Sequence, residues 1–208
     1  MTGSGVIDEE GNLLREKENL SEGLTTDEFI LSWFQQRVHM FLCSSLFGLK
    51  ALKEAGGIEK KFKNYDDVAA EFKCAASHGR VDVKPVKARF REHSGSYTQR
   101  SGEQELVTWC ESADAILELA CKLAPTKKEK IMKIGGRSSA ERVYRYAAKV
   151  DSKIEQLKGY WVVYKYFEYK FPPTAQSWYN IFSFLENFRF LIEPRKFLSD
   201  IKNKYFVA

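Results

Sequence analysis

"AERVYRYAAKVDSKIEQLKGYWVVYKYFEYKF", residues 140–171, is the stretch whose period sets the fold class. Val143, Ala147, Val150, Ile154, Leu157, Trp161 and Tyr164 recur in it at alternating steps of four and three, the spacing that lines one face of an α-helix. The pattern predicts a long helix with one continuous buried seam, opened by the capping pair Ser138 and Glu141 and ended near Phe171 by Pro172-Pro173. Within it, residues 160–171 are strand-favouring types preceded by Gly159, so a strand is the alternative there. Lys158, Lys165 and Glu168 fit helical spacing better than strict alternation.

Helical signals continue on both sides. Ser101 with Gln104 caps a helix that ends before Pro125, and Thr126 with Glu129 caps a short one that stops at Gly135-Gly136. Beyond the double proline, Thr174 starts a helix holding Trp178, Phe182, Leu185 and Phe188, and Pro194 suits the first turn of a last one. In the N-terminal half, Thr25 and Glu28 form a capping box, with Leu24 and Phe29 as the staple. The helix they open is expected to run to about Ala55, with Gly56 as its left-handed terminator and Ile30, Phe34, Val38, Phe41, Leu42, Leu49 and Leu52 as its apolar set. A second helix follows Asn64 and ends near Gly79.

Two segments depart from this texture. Residues 80–100, "RVDVKPVKARFREHSGSYTQR", show short apolar alternation broken by Pro85, which fits an extended segment or irregular hairpin. Residues 1–24 have no apolar periodicity and read as a flexible acidic arm. The expected architecture is therefore mainly α: the arm 1–24, then a two-lobed helical core of 25–79 and 101–208 joined by the extended basic connector 80–100.

Composition places the chain among ordinary globular proteins: 208 residues, 44% hydrophobic and 29% charged, with a net charge of +5. That charge is unevenly distributed. Residues 1–24 carry six acids against Arg15 and Lys17, so the arm sums to −4 and the rest of the chain to +9. The four cysteines stand far apart with no CxxC pair and no secretory segment precedes them, so reduced thiols in a cytoplasmic setting are expected. Cys74 and His78 are four apart, but no second closely spaced pair exists, so no metal or other cofactor is expected. Residues 29–49 are apolar, yet Gln35, Gln36, Arg37 and His39 interrupt them, which speaks for a core helix and against a membrane span. No histidine lies beside a nucleophile motif and neither GxSxG nor a Walker-type loop occurs, so the chain does not read as an enzyme.

Charge location carries the functional reading. Residues 122–149 hold nine Lys/Arg against two acids, and residues 80–100 hold six against two. Their joint excess of +11 exceeds that of the whole chain, as a phosphate-tracking groove requires. The expected RNA-contacting set is Arg80, Lys84, Lys87, Arg89, Arg91 and Arg100 from the connector, and Arg137, Arg142, Arg145 and Lys149 from the helix. Tyr144 and Tyr146 offer rings for base stacking, with burial as the alternative, and Glu141 could instead pair with Arg145 across one turn.

"VYRYAAKV", 143–150, followed by Pro172-Pro173 and "WYNIFSF", resembles the C-terminal core of coat proteins of flexible filamentous plant viruses, of closterovirus and potexvirus type. "VDVKP", 81–85, with the helix before it, is similar to the segment linking the helical lobes of closterovirus coats. The resemblance implies a mainly helical coat subunit with terminal arms that bind neighbours and a groove for single-stranded genomic RNA, Arg145 matching the groove arginine. Where such coats place an acid in a Phe-Asp-Phe motif, this chain has Phe182-Ser183-Phe184, with Glu186 nearby. The expected function is thus packaging of single-stranded RNA as a viral coat or nucleocapsid subunit, located in the virion and host cytoplasm. Self-association into an oligomer or filament would use the N-terminal arm, and no membrane partner is expected. The alternative is a non-enzymatic, cytoplasmic helical scaffold for other proteins.

Overall fold

In a computed structural model that describes residues 1–93, 95, 103–149 and 152–174, the chain builds a helical body capped by a three-stranded sheet. The strands are β1 (Thr2–Ile7), β2 (Leu13–Lys17) and β3 (Val83–Arg91), in the order β2-β1-β3. The helices are α1 (Thr26–Phe34), α2 (Leu49–Glu54), α3 (Asp66–His78), α4 (Glu103–Leu123), α5 (Lys128–Lys130), α6 (Gly136–Ala147) and α7 (Lys153–Tyr166).

Residues 1–24 are not the flexible arm their composition suggests. β1 pairs antiparallel with β2 and parallel with β3, which lies some eighty residues further along the chain. The arm's acids find partners on β3: Glu16 lies 3.6 Å from Arg89 and Glu18 3.6 Å from Lys84. The connector is extended over β3, as expected, and β3 pairs with β1.

α1 packs into the core beside α3. Thr25 and Glu28 form the complete capping box, each accepting from the other's backbone N–H. Phe29, Ile30, Trp33 and Phe34 are fully buried, and Trp33 makes edge contacts with Tyr65 and Phe72 at 5.5 and 5.6 Å between ring centres. α4, carrying Ile116, packs against α3, α6 and α7, which bring Val68, Phe72, Val143 and Val163 to the core. The two expected lobes share one hydrophobic cluster among the described residues.

Three helix boundaries differ from the sequence reading. α1 stops at Phe34 because Gln36 adopts a left-handed conformation (φ 59°), and the N–H groups of Arg37 and Val38 turn back onto the Ser32 carbonyl. The aromatic run beyond it covers the sheet: Phe41 stacks on Phe90 of β3 at 5.4 Å. α2 is a separate short helix, and Gly56 (φ 89°) follows its end as anticipated. Gly135-Gly136, expected to stop a helix, sit inside a continuous helical path that passes through a π-turn at Ile131–Gly135. A β-carbon on Gly135 would lie 2.6 Å from Leu117 Cδ1 and 3.0 Å from Phe34 Cδ1, so glycine here permits close packing and does not terminate anything. Ser138 lies within the helix and caps nothing.

The long seam also breaks. α6 ends at Ala147, and Ser152 caps α7 by accepting from the Glu155 N–H. The break rotates the buried face of α7 to Gln156, Gly159, Tyr160 and Val163, leaving Ile154, Leu157 and Trp161 exposed. Residues 160–166 are helical, and Glu168 and Tyr169 then turn the chain with positive φ (50° and 62°). The helices expected from Thr174 onward lie outside the described residues.

Candidate functional site

α6 separates its residues sharply. Val143, Tyr144 and Ala147 face the core, and Arg142, Arg145 and Tyr146 face a cleft between α6, the turn after α1 and the β1–β2 face of the sheet. The cleft has a volume of about 430 Å³. β2 contributes Arg15 and Lys17, which alternation brings to one face, and the turn after α1 contributes Gln36 and His39. Tyr65 and Trp109 form part of the floor.

Each cation is held differently. Arg142 donates from Nη2 to the Trp33 carbonyl at 2.9 Å, and its guanidinium lies 3.8 Å from the centre of the Trp33 ring. Its position is fixed by packing before any ligand arrives. Arg145 is exposed and makes a long hydrogen bond to Gln36 Oε1 at 3.4 Å. Lys17 donates to Nε2 of His39 at 2.9 Å. Arg15 is paired with Glu92 at 2.7 Å. Among the described residues, no carboxylate lies within ion-pair distance of Lys17, Arg142 or Arg145. Of the acids that line the cleft, Glu16 pairs with Arg89 and Asp67 is pushed above the usual carboxylate range, chiefly by burial.

His39 reports the resulting field. Its pKa is lowered first by burial and then by the charges of Lys17, Arg142 and Arg15, against a hydrogen bond to the Gln36 backbone. A neutral imidazole at neutral pH is what allows Nε2 to accept from Lys17. Asn64 adds a donor at the cleft wall, with its buried Nδ2 lacking a protein partner.

The twelve residues anticipated from sequence fall into distinct places. Arg142, Arg145 and Tyr146 line the cleft. Lys149 stands over Tyr146 with Nζ 4.8 Å from the ring centre, and Trp109 stacks on Tyr146 at 4.1 Å, so a base would have to displace Lys149 to reach that ring. Tyr144 is corrected outright: it is buried and its hydroxyl donates to the Phe171 carbonyl at 2.8 Å, which leaves no face for a base. Arg137 pairs with Glu141 at 2.9 Å away from the cleft, so the helical ion pair forms with Arg137 and not Arg145.

The connector residues are mostly engaged. Arg80 bonds Asp82 and the carbonyls of Ser21 and Leu24 and stacks on Phe29, Lys84 and Arg89 face Glu18 and Glu16, and Arg91 donates to the carbonyls of Asp8 and Glu9. Lys87 lines a different cavity, and Arg100 lies outside the described residues, as do Ser183 and Glu186. Two of the four Lys and Arg side chains that line the cleft therefore come from β2, in the segment whose acidic total concealed them. Arg15 and Lys17, two apart on a strand, were the available signal.

Fold and site together define a mainly α-helical protein with a small mixed sheet and a cation-lined cleft between them. In comparisons with known proteins, no family model, no curated protein and no solved structure matches the chain. Among the described residues there is no group of three or more His, Cys, Asp or Glu that could hold a metal, and no helix is long and apolar enough to cross a membrane.

Proposed function

We propose that the chain binds single-stranded RNA, with phosphates held in the cleft between β2 and α6, and that it serves as a packaging subunit of coat or nucleocapsid type. The observation that carries this reading is the convergence of Lys17, Arg142 and Arg145, without carboxylate partners, beside the Trp109–Tyr146 stack. Arg142 is preorganised, so its contact with a phosphate costs little side-chain ordering, and Arg145 and Lys17, both exposed, are accessible to the same ligand. Aromatic rings beside the cations favour a single strand, whose bases are open to stacking, over a duplex, whose bases are paired away from the protein. Packaging also needs contact between subunits. β2, an edge strand with all five residues exposed, is the surface proposed for it in place of a flexible strap.

Binding of a fluorescent ten-nucleotide RNA, compared with a duplex of the same length, tests this. Tighter binding of the single strand is expected. Equal or tighter duplex binding would remove the cleft from the account. A second reading, a scaffold for another protein, is favoured by Ile154 and Trp161, exposed together on α7. Ile154→Ser with Trp161→Ser should leave RNA binding intact under the first reading and abolish partner capture under the second.

A further inference from the structure

A second cavity, of about 790 Å³ and with its own set of lining residues, lies between α3, the start of the sheet and the loop before α2. Its walls are largely apolar, including Leu46, Phe47, Ala51, Val81 and Val83. One side chain in the wall is anomalous. Glu71, on α3, is 4% exposed, and only one of its oxygens is satisfied, by the hydroxyl of Ser45. Oε2 is buried and has no protein partner. A buried carboxyl left half-satisfied costs free energy that the fold alone does not recover.

Among the described residues, no cation lining the cavity completes it: Lys87 of β3 stands in the wall, but its charge is not among those acting on Glu71. The Met1 amino group, which faces Glu71 from β1, donates to the Val81 carbonyl at 2.6 Å. Arg80 is committed to Asp82 and to the carbonyls of Ser21 and Leu24. His78 lies 3.5 Å from Glu54. Asp67, one turn earlier on α3, adds negative charge, and Cys74 and Ser45 contribute none at neutral pH. An apolar chamber with one unpartnered acid has the chemistry of a site for an apolar ligand with a single positive head.

We propose that this cavity binds a small lipophilic primary amine, its ammonium group donating to Oε2 of Glu71 and its hydrocarbon lying against Leu46, Phe47 and Val83. The site is separate from the RNA cleft, and neither reading depends on the other. Burial pushes Glu71 up to about 8, so at neutral pH it is largely protonated. Binding an ammonium ion then releases one proton from Glu71 to solvent. Affinity should rise about tenfold per pH unit below pH 8 and level off above it.

The test is calorimetric titration of the full chain with n-heptylamine and with n-heptanol, its neutral analogue, from pH 6 to pH 9. Expected are tighter binding of the amine at pH 8, by at least about tenfold, and the pH slope for the amine alone. In Glu71→Gln the amine should lose its advantage and its slope, with heptanol unaffected. Equal binding of the two compounds by the native chain at pH 8, or binding of neither, would overturn the proposal. The comparison on the native chain holds even if the variant folds poorly.

Discussion

Replacing Lys17 and Arg145 together with alanine removes two cations from the cleft while leaving the core untouched. Both side chains are exposed, and their polar contacts are to His39 and Gln36 at the cleft itself. On a single strand each neutralised phosphate contributes about 0.7 to the slope of log K against log salt. Losing two contacts should lower that slope by about 1.4, which at 0.1 M salt corresponds to a roughly 25-fold weaker complex and at 1 M to almost no change. Fluorescence anisotropy of a short RNA over a salt series measures both quantities. Lys50→Ala with Lys53→Ala, on exposed α2, is the matching control and should change little. An unchanged slope in the cleft variant, or an equal loss in the control, would refute the localisation of phosphates to the cleft.

Further expectations concern the supports of the site. Gly135→Ala places a methyl 2.6 Å from Leu117 Cδ1, and thermal unfolding should register a loss of about 1–3 kcal/mol. Tyr144→Phe leaves the Phe171 carbonyl unpaired and should cost about 1 kcal/mol in a denaturant titration, with RNA affinity unchanged because the ring does not reach the cleft. Glu71 has a folded pKa raised to about 8 from an ordinary 4.5, so its stabilising protonated form is fully present below pH 4.5 and that contribution is lost as pH rises towards 8. Denaturant midpoints of Glu71→Gln and the native chain should therefore diverge between those limits, the variant becoming relatively more stable at pH 8.

Much of the helical body was legible because its signals are local. The Thr25/Glu28 box and the spans of α3 and α4 follow from residues within a few positions of one another. The sheet was not, because β1 and β3 are far apart in sequence and β2 is a short charged strand exposed along its whole length. The breaks after Phe34 and Ala147 were hidden for a related reason. Apolar periodicity continues through both, but Phe41 is needed over Phe90, and α7 packs with a face rotated from the seam of α6. The site was half legible: spacing put Arg142 and Arg145 on one face, while Lys17 and His39 join them only through tertiary structure.

The central claim, that RNA phosphates occupy the cleft, is tested most directly at His39. Its imidazole lies among Lys17, Arg142 and Arg15, whose charges help to hold its pKa below the ordinary 6.5. A bound phosphate offsets those charges and favours the imidazolium, so affinity should strengthen as pH falls through the pKa of the bound state. The measurement is an NMR titration of the His39 ring protons with and without a short single-stranded RNA. An upward shift of the His39 pKa on binding is the expected result, and RNA binding that leaves His39 unchanged would contradict the account.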